Sequence, residues 1–311
     1  MSSIPKVSII MATYNRAHFI VETLQSIQNQ TFEDWECLII DDGGNDNTKE
    51  KIIPILQNDH RFRFVKRSDN YKKGLPGCRN YGLDLAKGDC VIFFDDDDIV
   101  HPQNLEISFF ELTKGDVSFC RYIREVFRGD FNYNFDYSKD YDSFYIDKND
   151  VEKILKNELP INSCAVLWKK ECFKNNRFEE HLMYAEEWEL YSRIISLGFV
   201  GISIEKCLFF GRKHLKSNTG EFYSNNPIRR ESKKNAILLI IQNLERQKLL
   251  SDSLLRYFIQ TSLSFKEYQL FDKIINNLEI SKTSKIKWRL FYFVLPFRLI
   301  LYRVYKKKSR N

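Results

Sequence analysis

Four consecutive aspartates, Asp95-Asp96-Asp97-Asp98, follow directly on the apolar run Cys90-Val91-Ile92-Phe93-Phe94. Carboxylates crowded at the end of a buried strand repel one another unless a cation neutralises them. Hard oxygen donors suit Mg²⁺ or Mn²⁺, and a site with few protein ligands leaves room for substrate phosphates in the shell. The run equally fits a solvated acidic turn capping the helix after Pro102. A second acidic cluster, Asp41-Asp42-Gly43-Gly44-Asn45-Asp46-Asn47-Thr48, ends the run Cys37-Leu38-Ile39-Ile40. Asp41 there is placed to accept hydrogen bonds from a base or ribose, and the two glycines allow close backbone approach. Asp46 and Thr48 read as an ordinary helix cap. Glu186-Glu187 opens a helical pattern. On their own the two carboxylates complement the positive end of the helix dipole.

These residues need elements to hold them. Val7–Met11 reads as a buried strand, and Ile20, Leu24 and Ile27 follow at helical spacing. A strand at Cys37–Ile40, a helix over about 48–57, a strand over 61–65, a helix over about 78–86 and a strand over 90–94 come next. Alternation of this kind predicts an α/β fold, a mostly parallel sheet with helices on both faces. In such sheets ligands bind beyond the carboxyl ends of the strands, where both acidic clusters fall. A further strand is expected at Ala165–Leu167 and a helix over 187–197. Residues 125–150 interleave eight Phe and Tyr with Asp, Asn and Ser, and are expected to form a β-hairpin with its aromatics on the core. A sugar-stacking platform is the other reading. Beyond about residue 226 the pattern is helical throughout. Two parts are therefore expected, 1–225 and a helical C-terminal appendage over 226–311.

Composition narrows the class. Of 311 residues 43% are apolar and 29% charged, ordinary globular values that exclude wholesale disorder. Seven scattered cysteines without a C-x-x-C pair argue against a disulfide framework or a structural zinc site. A reducing compartment follows, and the strand-like start without a signal pattern adds a cytoplasmic expectation. The net charge of +6 is unevenly spread. Residues 282–311 carry ten Lys and Arg and no Asp or Glu, so 38 basic and 42 acidic residues remain elsewhere. A mildly acidic body with a basic tail is a poor nucleic-acid binder. Leu290–Phe297 is far shorter than the ~20 residues that span a bilayer. Basic and aromatic-rich, 282–311 suits the surface of an anionic membrane, or else packs on the body with a solvated basic face.

Taken together, several motifs resemble those of family 2 glycosyltransferases of the GT-A (Rossmann-like) fold. Val7-Ser8-Ile9-Ile10-Met11-Ala12-Thr13-Tyr14-Asn15-Arg16 is similar to that family's opening strand, and Asp41 to Thr48 to its D-D-G-S-x-D-x-T motif, with Gly44 where Ser is usual. Gly77-Cys78-Arg79-Asn80-Tyr81-Gly82 resembles the A-R-N-x-G helix start, and Asp95 to Asp98 the D-x-D-D metal motif. Ala185-Glu186-Glu187-Trp188 falls where the family has E-D-W, and Arg212 and His214 resemble its late basic pair. The stretch Asn70–Gly74 is similar to bacterial enzymes that build surface glycans or lipid-linked oligosaccharides.

The resemblance implies an inverting, metal-dependent transferase. Its donor would be a nucleoside-diphosphate sugar, a UDP-sugar in this family, and its acceptor a glycan or lipid-linked oligosaccharide at the cytoplasmic face of a membrane. By the same carry-over Thr13, Tyr14, Asn15, Arg16, Asp41, Gly74, Arg79, Asp95 and Asp96 bind the nucleotide. Asp95 and Asp97 hold Mn²⁺ or Mg²⁺, Arg212 and His214 meet the diphosphate or metal, and Glu187 is the base. Two other classes stay open: another Mg²⁺-dependent phosphate enzyme, either a nucleotidyltransferase or a phosphatase, and a non-catalytic, membrane-docked binder of nucleotide or glycan.

Overall fold

The computed structural model describes residues 4–138, 140–213 and 218–308. Strands and helices alternate through β1 (Val7–Thr13), α1 (Ile20–Gln28), β2 (Trp35–Asp41), α2 (Thr48–Asn58), β3 (Phe62–Lys66), α3 (Leu75–Leu85) and β4 (Cys90–Phe94). Then come β5 (Ile99–Val100), α4 (Asn104–Lys114), β6 (Phe119–Phe127), β7 (Ser143–Ile146), α5 (Val151–Leu155), β8 (Val166–Lys169), α6 (Glu186–Ser196) and β9 (Gly201–Arg212). Helices α7 (Asn218–Tyr223), α8 (Pro227–Arg246), α9 (Asp252–Ser264), α10 (Tyr268–Asn277) and α11 (Lys282–Lys308) follow.

One mixed sheet orders its strands β3-β2-β1-β4-β8-β6-β9-β5, with β7 added on β9. β3, β2, β1 and β4 are mutually parallel, as the alternating pattern requires. β8 runs antiparallel between β4 and β6, whereas β6 and β9 pair in parallel. Side chains alternate between the two faces of each strand. Val7, Ile9 and Met11 turn to one face, in a core with Ile20, Leu24, Ile52 and Leu105 from α1, α2 and α4. Ile10 and Phe93 serve the other, where Phe93 meets Phe173 and Phe178 edge-on and α3 lies on β1. Both faces are covered, so β1, β2 and β4 read as unbroken apolar runs.

α3 lies so close to β1 that a Cβ added at Gly82 would stand 2.4 Å from Ile10 Cγ2. Gly82→Ala is therefore expected to destabilise the protein by about 1–3 kcal/mol, as overpacking does. A thermal melt reads this directly, and an unchanged Tm would refute the close approach.

The expected hairpin over 125–150 does not form. β6 ends at Phe127, the described residues of 128–142 have no regular structure, and β7 pairs with β9. β9 takes one edge of β6 along its length, and the chain after Phe127 leaves to pack its rings against Phe210 of β9 instead of returning along the other edge. The aromatics instead stack in series, Phe127 on Phe131, Phe131 on Phe135 and Phe135 on Tyr137, with Phe131 and Phe135 also against Phe210 of β9.

The chain divides into two compact units, Met1–Ala236 and Ile237–Asn311, at a point within α8 beyond the expected 225/226 boundary. In the second unit Ile240 and Leu244, Phe258 and Ile259, Phe271 and Ile274, and Trp288 and Leu295 are buried, one pair from each helix of α8 to α11. Tyr292 stacks flat on Phe271 at 3.9 Å between ring centroids. α11 is therefore held by its Trp288–Tyr292–Leu295 face. Ile286, Leu290, Phe293, Phe297 and Leu301, spaced four, three, four and four residues apart, are 58–74% exposed on the other. Among the described residues no helix is long and apolar enough to cross a membrane.

Candidate active site

Parallel pairing of β2, β1 and β4 sets Thr13 beside Asp41 and Met11 beside Phe94, so the three following loops gather at one sheet edge. Asn15 adopts a left-handed conformation with φ of 55°. Its Oδ1 accepts the backbone N–H groups of Asn45 and Asp46 at 2.8 and 3.2 Å. Arg16 N–H donates to Thr48 Oγ1 at 3.0 Å, and Asp46 accepts from Ala17 and Thr48. Asn47 is the N-cap of α2 and makes no side-chain cap bond, so Asp46 and Thr48 flank the cap and lock the first loop to the second. Asp41, half-buried, accepts Gly44 N–H at 3.0 Å on Oδ1. Tyr14 is 47% exposed with Lys73 Nζ 4.8 Å from its ring centroid, so it presents an open aromatic face and is no core residue. Gly74 caps α3 with φ of 125° and ψ of 170°, a conformation essentially confined to glycine.

The four aspartates divide their contacts. Arg16 Nε donates to Asp96 at 3.2 Å, and its Nη2 stands 3.8 Å from Asp97. Arg79, only 2% exposed, reaches Asp95 at 3.2 Å with one arm and Glu186 at 3.4 Å with the other. Arg124 lies 3.8 Å from Asp98, which also accepts the Arg212 backbone N–H at 2.7 Å. Five acidic groups therefore face three guanidinium groups. Burial pushes Asp96 up to about 7, with Arg16 opposing and Asp97 adding. Burial, then Asp95 and Asp97, raise Asp98 well above the carboxylate range. A cluster so strained by its own charge fits a divalent cation.

Ligand atoms of Asp95, Asp98 and Cys164 lie within 4.8 Å of one another. The Cys164 thiol is raised well above its ordinary range by burial and then by Asp95 and Asp98. A neutral thiol is no partner for Mg²⁺ or Mn²⁺, so the oxygens alone suit a hard cation. Asp95, its side chain 40% exposed, is the most open of the four carboxylates; Asp97 is 12% exposed and lies outside this group of three.

Arg212 borders the acidic loop. Its Nε donates to the Asp97 carbonyl at 2.9 Å and its two terminal nitrogens to Gly129 O and Glu22, with Phe19 and Phe127 on its faces. That guanidinium braces the acidic loop through three of its five N–H groups. His214 lies outside the described residues.

Across the site, Ala185 takes a left-handed conformation (φ 65°) immediately before α6. Glu186 is buried and Glu187 half-buried in the first helical turn. Burial, and next the Glu187 carboxylate, raise Glu186 well above the carboxylate range, against Arg79; in its protonated form it hydrogen-bonds Glu187. Asp95, Arg79, Glu186 and Glu187 thus form a chain of contacts from the acidic loop to α6. A separate cleft of about 830 Å³, lined by Lys6, Gly88, Cys90, Phe109 and Lys170, opens at the amino ends of β1 and β4. The carboxylates all lie at the opposite ends, so the cleft is no part of this site. Arg124 and Cys164 escaped the sequence reading because only strand pairing, which no local pattern announces, brings them to the acidic loop.

Comparison with known proteins agrees with this architecture. The chain is 42% identical over 94 residues to GalNAc(5)-diNAcBac-PP-undecaprenol beta-1,3-glucosyltransferase of Campylobacter jejuni, covering 30% of each chain. It is 37% identical over 113 residues to UDP-Glc:alpha-D-GlcNAc-diphosphoundecaprenol beta-1,3-glucosyltransferase WfgD of Escherichia coli, covering 36% of this chain and 43% of that one. The chain thus matches less than half the length of these relatives. The crystal structure of S. aureus TarS 1-349 in complex with UDP-GlcNAc superposes with a TM-score of 0.68 at 20% identity, over 87% of this chain and 80% of the other. That likeness shows the GT-A fold. The family model for glycosyl transferase family 2 matches residues 8–171, more than half of the sequence, and the chain belongs to that family.

Proposed function

We propose that this chain transfers a sugar, with inversion, from a UDP-sugar to a hydroxyl of a lipid-linked glycan, using a divalent cation. The observation that carries the reading is the convergence at one sheet edge of the Asp41 loop, the four-aspartate loop and, through Arg79, the Glu186–Glu187 pair. The two undecaprenol-linked glucosyltransferases and the UDP-GlcNAc complex support the substrate classes.

Tyr14 offers a face for the base, Asp41 a hydrogen-bond acceptor for base or ribose, and Asn15 fixes the turn between them. Asp95 and Asp97 would hold Mg²⁺ or Mn²⁺, with Asp96 and Asp98 buried beside them. That ion would neutralise the departing diphosphate. Glu187 accepts the acceptor hydroxyl's proton as the new bond forms on the opposite face of the sugar.

The exposed apolar stripe of α11 supports docking to an anionic membrane at its cytoplasmic face, where such an acceptor would lie. The test of the activity is calorimetric titration with UDP, UDP-glucose and UDP-GlcNAc, first with Mn²⁺ and then with EDTA. Binding in the micromolar range that disappears with EDTA, and in Asp97→Asn falls by about tenfold or more, is expected. No binding of any uridine nucleotide with or without metal would overturn the donor class. Release of inorganic phosphate in place of UDP would favour a phosphatase.

A further inference from the structure

Four parts of the fold meet at the Arg212 guanidinium: β9, the acidic loop, α1 and the aromatic segment. Arg212 closes β9, and its side chain is only 9% exposed. Nε donates to the Asp97 carbonyl at 2.9 Å and Nη1 to the Gly129 carbonyl at 3.1 Å. Nη2 donates to Oε2 of Glu22, which stands in the first turn of α1. The other oxygen of Glu22 accepts the Tyr133 hydroxyl at 2.6 Å. Burial, and then that bond, push the Tyr133 phenol up to about 12, so it stays a donor. Phe127 and Phe19 stand with ring centroids 4.6 and 5.0 Å from the guanidinium carbon and flank its plane. One carboxylate, Glu22, thus ties α1 to the end of β9 and to the aromatic segment, with Asp97 at the far side of the same guanidinium.

Arg212 carries a fixed positive charge beside four carboxylates. Without an anchor it would be drawn onto their oxygens and occupy them in place of a metal ion. Glu22 supplies a carboxylate outside the acidic loop and takes Nη2. Arg212 then meets Asp97 at the main-chain carbonyl, and its own backbone N–H goes to Asp98 Oδ1 at 2.7 Å. Resting on the metal reading of the acidic loop, we propose that Glu22 is a positioning residue for that loop: it holds the Arg212 guanidinium on the Asp97 carbonyl and away from the carboxylates that would take the cation. Tyr133 acts through the same carboxylate, so the aromatic segment contributes to the site by way of Glu22.

The test has two arms. In the first, Mn²⁺ binding is followed by the electron paramagnetic resonance signal of free Mn²⁺, with UDP present. Glu22→Ala should weaken binding by about tenfold, as loss of a group that orients a metal site does. Alanine is a strong helix former, so α1 should stay folded. Glu22→Gln still accepts from Arg212 but without charge, and should fall between Glu22→Ala and the wild type. Tyr133→Phe should cost about threefold, and adding it to Glu22→Ala should cost nothing more, because both act through one carboxylate. Mn²⁺ affinity of Glu22→Ala within about twofold of wild type, or losses that add, would overturn the proposal. The second arm needs no metal. Deuterium exchange of the Arg212 backbone amide, followed by NMR, should be about tenfold faster in Glu22→Ala, because the loop and the strand end are no longer tied. An unchanged exchange rate would also overturn the assignment. A wild-type protein that binds no Mn²⁺ would remove the metal reading, while the exchange rate still decides whether Glu22 holds the brace.

Discussion

Glu187→Gln is expected to lower sugar transfer by about 10²–10⁴-fold while leaving UDP-sugar affinity within about twofold of wild type. The split follows from geometry. Glu187 lies at the start of α6 and reaches the acidic loop through Glu186 and Arg79, so on the proposed reading donor binding does not depend on it. Gln keeps the shape and hydrogen-bonding reach of Glu but cannot take a proton. Glu186→Gln should behave differently. Glu186 is buried and pairs with Arg79, which in turn holds Asp95. Its loss frees Arg79 to lean on Asp95, so both donor binding and turnover should fall. Measuring kcat and donor Kd for the two variants separates the roles. A Glu187→Gln enzyme with wild-type kcat would show that another group is the base.

The parallel half of the sheet was legible in the sequence because each strand there is an apolar run that ends in a turn signal. β1, β2 and β4 are covered on both faces, so burial writes itself into consecutive residues such as Cys37 to Ile40. The acidic loops follow those runs at their carboxyl ends, where parallel sheets bind ligands. β6 and β9 were not legible. Arg121, Arg124 and Glu125 interrupt β6, and Glu205 and Lys206 interrupt β9; each strand is defined by its partner and not by its own pattern. The aromatic segment was misread because its Phe and Tyr look like a buried face, whereas its rings mostly stack on one another outside any ladder. At the site, the acidic residues were readable, but their counter-charges were not. Arg124 lies 26 positions from Asp98 in the chain, and it is β9, pairing with both β5 and β6, that brings its guanidinium to 3.8 Å from that carboxylate. Arg212 shows the converse: a basic residue in a familiar position, whose arms are taken by Glu22, Gly129 and the Asp97 carbonyl.

The other large effect is expected at the membrane. Deleting 282–311 would be a poor probe of the basic segment, because Trp288 and Leu295 are buried and Tyr292 stacks on Phe271, so the second unit would lose part of its core. Leu290, Phe293 and Phe297 avoid that difficulty, being 63%, 74% and 65% exposed on the face turned away from those contacts. Arg289 and Arg298 flank the stripe in sequence and are exposed as well. Such a face sits an apolar edge into the acyl boundary while its cations meet anionic headgroups. Changing Leu290, Phe293 and Phe297 together to serine removes apolar area worth ~1 kcal/mol or more per side chain in that setting, so affinity for phosphatidylglycerol vesicles should fall by about two orders of magnitude. Replacing Arg289 and Arg298 with glutamine should cost about tenfold, and the wild-type affinity should weaken with salt, as surface charge attraction does. Both sets of positions are exposed, so the Tm should stay near that of the wild type. Vesicle flotation at two salt concentrations, on phosphatidylglycerol and on phosphatidylcholine alone, reads every arm. Binding of the triple serine variant equal to wild type would show that the stripe faces something other than lipid, and equal binding to both vesicle types would remove the electrostatic part of the argument.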